Sequence, residues 1–112
     1  MPTIPKTFTT RGLQLIGSYT RPSITATQDL YARLMRNAAT GSDDRQGWLG
    51  IYCRLFADNN YSPSVLFGGT NVWGEGTQVV WTLGQARSNL LVEFRFAPTE
   101  AGLGSWELHY PL

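Results

Sequence analysis

Apolar residues recur with a period of two along most of this chain, which is typical of β-strands that bury one face. The pattern predicts strands over residues 13–19, 48–57, 64–67, 77–83, 90–97 and 105–110. The strand over 48–57 has one face made of Leu49, Ile51, Cys53, Leu55 and Ala57. Its other face carries Trp48, Tyr52, Arg54 and Phe56, so we expect this strand in the middle of a sheet.

Two further strands have a clear apolar face. In the strand over 90–97 the face consists of Leu90, Val92, Phe94 and Phe96. In the strand over 13–19 the alternation places Leu13, Leu15 and Tyr19 on one side. Both faces are expected to contribute to the core.

Turns rich in glycine, asparagine, proline and serine separate these strands, as in residues 58–63 and 68–76. Several short strands with such turns indicate an all-β fold, either a small antiparallel β-sandwich, jelly-roll-like, or a small barrel. A chain of 112 residues is long enough for one domain of this kind. The pattern does not distinguish a jelly roll from an immunoglobulin-like sandwich.

The stretch over residues 28–38 fits two structures. Thr27 is a suitable helix cap, and Gly41 would stop a helix. A single helical stripe would hold Leu30, Tyr31, Leu34, Met35 and Ala38. The spacing therefore predicts one short helix near 28–38, used as a lid or crossover. The alternative is another strand, because Ile24, Thr25 and Thr27 favour extended backbone.

Residues 1–10 predict an extended N-terminal arm beside a single domain over 11–112. Pro2 and Pro5 disfavour a helix, and the threonines favour extended backbone. An isolated segment of this composition cannot hold itself in place, so we expect a neighbouring subunit to bind it. The residues predicted to lie at this subunit interface are Pro2, Ile4, Pro5, Phe8 and Arg11.

Charge is sparse and nearly balanced. Charged residues make up 15% of the chain and the net charge is +1, which gives no basic surplus for a nucleic acid. No apolar run is long enough to span a membrane, and the N-terminus lacks the apolar core of a signal peptide. Lys6 is the only lysine beside eight arginines; this bias is typical of interfaces, or reflects codon usage.

The last two strands predict a hairpin across the loop 98–104. Pairing Phe96 with Trp106 collects the apolar residues on one face. The same register predicts cross-strand ion pairs between Arg95 and Glu107 and between Glu93 and His109. Although a carboxylate beside the only histidine resembles catalytic machinery, no nucleophile motif accompanies it, so we expect a structural role.

No cofactor and no metal site are expected. Cys53 is the only cysteine, and it lies on an apolar face, where it is expected to be a core residue. The acidic clusters lack calcium-loop spacing. Amide side chains next to aromatic residues predict an alternative ligand site, for a sugar, formed by Asn59, Asn60, Tyr61, Asn71 and Trp73. In the structural alternative, Trp73 plugs the end of the sandwich.

Three functions were weighed on these grounds. The leading prediction is a non-enzymatic structural component of a large symmetric assembly, with other subunits of the same assembly as partners. A phage or viral particle is the expected setting and the virion the expected location, with the cytoplasm as alternative; a homo-oligomer such as a trimer fits. The second is a carbohydrate-binding module or receptor-binding tip, and the third a cupin-like enzyme, which one histidine disfavours.

Overall fold

The computed structural model describes residues 3–24, 29–36, 46–72, 78–82, 84 and 86–110. Apart from a 3₁₀ turn at Glu100–Gly102, all regular structure in these ranges is β-strand, which confirms the all-β prediction. The strands are β1 (Thr3–Phe8), β2 (Gln14–Ile24), β3 (Asp29–Arg36), β4 (Gly47–Ala57), β5 (Asn60–Tyr61), β6 (Val65–Val72), β7 (Gln78–Thr82), β8 (Arg87–Pro98) and β9 (Gly104–His109). No helix in the described part of the chain is long and apolar enough to cross a bilayer.

The strands pair antiparallel in a nested order. From the chain ends inward, β1 pairs with β9, β2 with β8, β3 with β7, and β4 with β6. One sheet has the order β1-β9-β3-β7, and the other has β2-β8-β4 with β5 and β6 both alongside β4. This nested pairing over two sheets makes the sandwich jelly-roll-like.

The core lies between the two sheets. It is built by the inward positions of both, and it is strongly aromatic. Its largest fully buried side chains are Trp106, Phe8, Phe94, Phe96, Leu30, Leu34, Leu49, Ile51, Leu90 and Leu108. The apolar faces predicted for the strands over 48–57 and 90–97 supply five of the ten.

The predicted helix near 28–38 is wrong in its described part, because residues 29–36 form β3. Leu30, Ala32 and Leu34 alternate inward and are fully buried. Since Leu30 and Leu34 fit both a period of two and a helical repeat, the local pattern did not decide between them. Pairing with β7 and β9 on both sides decides for the strand. Residues 28, 37 and 38 lie outside the described residues.

The predicted N-terminal arm is extended, but it is part of the sandwich. Residues 3–8 pair with β9 from Thr3 opposite His109 to Phe8 opposite Gly104. Phe8 is only 1% exposed, and its ring meets that of Phe96 edge-on at 5.1 Å between centroids. The expectation that these residues need a neighbouring subunit to hold them is therefore wrong; β9 and the core hold them.

The predicted hairpin of the last two strands is also wrong. The chain passes from β8 through the 3₁₀ turn to the opposite sheet, where β9 lies between β1 and β3. The apolar faces of β8 and β9 thus meet across the core instead of side by side, as shown by Phe94 and Tyr110, whose ring centroids are 5.9 Å apart. A hairpin within one sheet and a crossing between the two sheets bury the same residues, so the apolar pattern is compatible with either.

The face assigned to the first predicted strand is shifted by a bulge. The register of β2 against β8 slips between Leu15 and Gly17. As a result Leu13 and Leu15 are exposed, whereas Ile16 is buried and Tyr19 packs against the core. Gly17 allows a close approach here, because a Cβ at this position would lie 2.7 Å from Cδ1 of Ile4.

Candidate functional site

The two sheets have strands of unequal length. In the larger sheet β2, β4 and β8 have 11, 11 and 12 residues, whereas β1, β7 and β9 opposite them have 6, 5 and 6. The inward row of β4 shows the effect, because exposure rises from 0% at Leu49 to 40% at Leu55. Among the described residues, the larger sheet therefore extends beyond the smaller one at the end formed by residues 55–66, which we call the tip.

The tip concentrates exposed apolar side chains. Of the eight large apolar residues that are exposed in the described part of the chain, five lie in these twelve positions. They are Leu55, Phe56, Tyr61, Val65 and Leu66. Apolar clusters of this kind on a small domain are typical of interaction surfaces.

On the inner side of the tip lies a hollow of about 190 Å³, the inner hollow. Its wall is mostly apolar and includes Cys53, Leu55, Val65, Phe67 and Leu90. Burial raises the pKa of the Cys53 thiol to about 11. The thiol is thus protonated at neutral pH, which fits the predicted role as a small apolar residue and disfavours a nucleophile.

A second hollow, of about 260 Å³, lies between the ends of β2, β8 and the β4–β5 hairpin, and we call it the outer hollow. Phe56 and Tyr61 face each other across the hairpin, with ring centroids 5.1 Å apart. Asp58 and Asn59, both with positive φ, form the two-residue turn that joins them. Asn89, which also has positive φ, lines the same hollow from β8.

The middle of the larger sheet carries a buried charge. Glu93 is 3% exposed although its strand neighbours on both sides face the core. Arg54 donates two hydrogen bonds to its carboxylate, Nε to Oε1 at 2.7 Å and Nη2 to Oε2 at 3.2 Å. Arg95 Nη2 is 3.6 Å from Oε2, and its guanidinium lies 4.7 Å from the Tyr52 ring centroid.

These partners set the protonation state of Glu93. Burial raises its pKa, but the hydrogen bonds from Arg54 and the charges of Arg54 and Arg95 outweigh burial and hold the pKa below the ordinary value. Glu93 is therefore a carboxylate at neutral pH and accepts hydrogen bonds only. The arrangement fixes β4 against β8, and it offers no group that a general acid would need.

The predicted ion pairs of the last two strands are not formed. Glu93 pairs with Arg54 and Arg95, and His109 lies 3.6 Å from Glu107 on its own strand. His109 and Glu107 are both partly exposed on the outer face of the smaller sheet. The structural role predicted for all four residues stays a prediction, with these partners in place of the expected ones.

The predicted sugar site is divided by the fold. Asn60 lies opposite Ala57, whereas Asn71 lies opposite Trp48. Nine residues of β4 separate these positions, or about 30 Å at roughly 3.3 Å per residue. Asn60 also donates its amide to the carbonyl oxygen of Asp58 at 3.3 Å. Trp73 lies outside the described residues. Asn59, Asn60 and Tyr61 therefore cannot act on one sugar together with Asn71.

The residues predicted at the subunit interface differ in their burial. Phe8 is a core residue and Ile4 packs partly against the core, while the predicted contact of this set with a neighbouring subunit stays a prediction. Pro5 and Arg11 are exposed, and Arg11 forms an ion pair with Glu100. Pro2 lies outside the described residues. The sequence did not predict that Leu55, Val65 and Leu66 are exposed. The alternation of apolar residues shows which face of a strand is apolar, but it does not show how far the opposite sheet extends.

Groups of three or more histidine, cysteine, aspartate or glutamate side chains that could hold a metal ion are not found in the described ranges. Comparison of the chain with protein-family models, with curated proteins and with solved structures found no match in any of the three. A function is therefore proposed from the geometry of the tip and of the two hollows.

Proposed function

We propose that this chain is a non-enzymatic structural subunit of a symmetric assembly, and that its copies contact one another through the tip. The observation that supports this is the set of uncovered aliphatic side chains beside the inner hollow, namely Leu55, Val65 and Leu66. None of the three carries charge or a hydrogen-bonding group. A second copy is a fitting occupant, because a two-fold contact brings the same apolar surface from both sides.

The size of this surface favours a many-sided assembly over an isolated dimer. The three side chains are 40%, 65% and 49% exposed, and full burial of such a residue contributes about 1.5–3 kcal/mol. Covering what remains exposed yields about 3 kcal/mol per copy, or about 6 across a two-fold contact. Association costs roughly 4–15 kcal/mol. One tip contact is thus marginal, and a stable particle needs further contacts from every subunit.

A phage or viral particle is the setting we propose, with the chain as a capsid decoration, minor capsid or fibre protein. Jelly-roll sandwiches are used by capsid proteins, and also by lectins and cupins, so the fold supports the setting by analogy alone. The preference for arginine over lysine fits extensive subunit contacts. Strand addition at β1 is disfavoured, because Pro5 and Lys6 on this edge strand are typical of protected edges.

Mass in solution, measured by light scattering, tests the proposal with two matched variants. Leu66 at the tip and Val80 on the smaller sheet are both 49% exposed, so Leu66→Arg and Val80→Arg place the same charge on surfaces of equal exposure. We expect the mass of the wild-type protein to rise above that of the 12.5 kDa chain with concentration. Leu66→Arg should remain a monomer, and Val80→Arg should behave as the wild type.

Either of two results contradicts the tip contact. One is a wild-type protein that stays monomeric at the highest soluble concentration. The other is an equal loss of mass in both variants, because this would show that added charge alone disperses the assembly.

A further inference from the structure

We propose that the outer hollow binds one pyranose ring of a neutral glycan. This goes beyond the assembly role and does not depend on it, because Val65 and Leu66 line the inner hollow and not the outer one, although Leu90 borders both. The residues that the proposal uses are Thr20, Pro22, Phe56, Tyr61 and Asn89. Only Tyr61 belongs to the sugar site that the sequence predicted.

The first argument is the paired aromatic wall. Phe56 and Tyr61 are each 38% exposed and in ring contact at 5.1 Å. The apolar C–H face of a pyranose stacks on an aromatic ring of this kind. Strand pairing sets Phe56 directly opposite Tyr61, so both rings are positioned before a ligand arrives. A wall that is already ordered loses little entropy on binding.

The second argument is the backbone at Asn89. This residue has a φ of 51° although it lies within β8. It falls between the pairs Arg21–Leu90 and Ser23–Ser88, at the level of Pro22 on β2. Because Pro22 has no N–H to donate, the ladder is interrupted here. Non-glycine residues held in the left-handed region are frequent at ligand sites, and the amide of Asn89 supplies one donor pair and one acceptor at the rim.

The third argument concerns charge and size. Among the described residues of the wall Arg21 is the only charged one, and its charge acts on the hydroxyl of Tyr19, whose side chain packs against the core. The remaining polar side-chain groups, from Thr20, Tyr61 and Asn89, are neutral hydrogen-bonding groups suited to sugar hydroxyls. The volume of about 260 Å³ is slightly below the range of roughly 300–1,000 Å³ typical of small-molecule sites. It fits one sugar ring of a chain that continues into solvent.

Two asparagine substitutions provide the test. Asn89 and Asn59 both have positive φ, at 51° and 63°, and both are exposed. Glycine adopts this backbone without strain, so Asn89→Gly and Asn59→Gly remove only a side-chain amide. Asn59 does not line the outer hollow. The probes are neutral polysaccharides, namely a galactan, a glucan and a mannan, screened by affinity electrophoresis. Short oligosaccharides of whichever binds are then titrated calorimetrically.

We expect the wild-type protein to bind at least one neutral polysaccharide. Asn89→Gly should weaken the Kd for the matching oligosaccharide by roughly tenfold, as for a lost hydrogen bond, and Asn59→Gly should leave it unchanged. Leu66→Arg should also bind as the wild type, which separates glycan binding from assembly. Binding to none of the neutral polysaccharides, or equal affinities of the wild type and Asn89→Gly, would each overturn the proposal.

Discussion

The two ends of the sandwich are built from the same strands but finish differently. At the closed end, Phe96 on β8 is paired with Leu49 on β4 and meets the ring of Phe8 on β1, and all three are buried. At the tip, Leu55 continues the same inward row and is 40% exposed. On β4 the alternation that places Leu49, Ile51, Cys53 and Leu55 on one face continues unchanged from the closed end to the tip. What differs is the opposite sheet, whose described strands cover the closed end but not the tip.

The comparison shows that an inward-facing apolar position is not necessarily a core position. Burial requires a partner surface, and in this sandwich the shorter strands of one sheet do not reach the tip of the other. A folded chain that leaves apolar positions uncovered retains part of the hydrophobic free energy for association. The closed end therefore stabilises the fold, and the tip keeps exposed apolar surface that the proposed contact would cover.

The largest expected loss of stability comes from a substitution in the core at the closed end. Phe8→Ala should lower the free energy of unfolding by about 3–5 kcal/mol, because it removes a fully buried ring and leaves a cavity against Phe96. Phe56→Ala at the tip should cost about 1 kcal/mol or less, because its ring is already partly in water. Urea unfolding of both variants measures the difference. Equal small losses would mean that β1 is a detachable arm after all.

A smaller effect is expected midway between the ends, at the buried carboxylate. Glu93→Gln should lower the free energy of unfolding by about 2–3 kcal/mol at pH 7, because Arg54 then faces a neutral amide. The folded-state pKa of Glu93 is lowered from the ordinary value of 4.5. Its contribution is thus fully present above about pH 4.5 and is lost as the pH falls through the folded-state pKa.

Unfolding measured between neutral and acidic pH checks this sign. The difference between the wild type and Glu93→Gln should shrink as the solution becomes more acidic than pH 4.5. Glu100→Gln is the control, since Glu100 and Arg11 form an exposed ion pair that should contribute about 0–1 kcal/mol. A difference that stays constant with pH would show that Glu93 acts through packing and not through its charge.

The local alternation of apolar residues was sufficient to predict strands and their buried faces where the strand pairing has no bulge. The inward row from Leu49 to Ile51 and the row from Val92 to Phe96 are confirmed as core. It was insufficient at Leu30 and Leu34, where two periods fit the same residues and pairing with β7 and β9 decides. The bulge at Gly17 reversed the face predicted for Leu15, because one extra residue shifts the alternation.

Long-range placement could not be predicted from the sequence. A hairpin and a crossing between sheets both bring the apolar faces of β8 and β9 together, so the partner of Glu93 depended on topology. The separation of Asn60 from Asn71 is likewise set by where β5 and β6 pair along β4. The exposure of the tip is the clearest example of such long-range dependence, because it is set by the lengths of strands that lie far away in the chain.

Hydrogen exchange at two protein concentrations tests most directly whether a second copy covers the tip. Amide exchange over residues 54–66 should slow by roughly tenfold or more between about 1 µM and about 1 mM protein, because association protects only the covered amides. Exchange over residues 94–98 at the closed end should not change. Equal rates at both concentrations in the tip, or slowing confined to the closed end, would contradict the account.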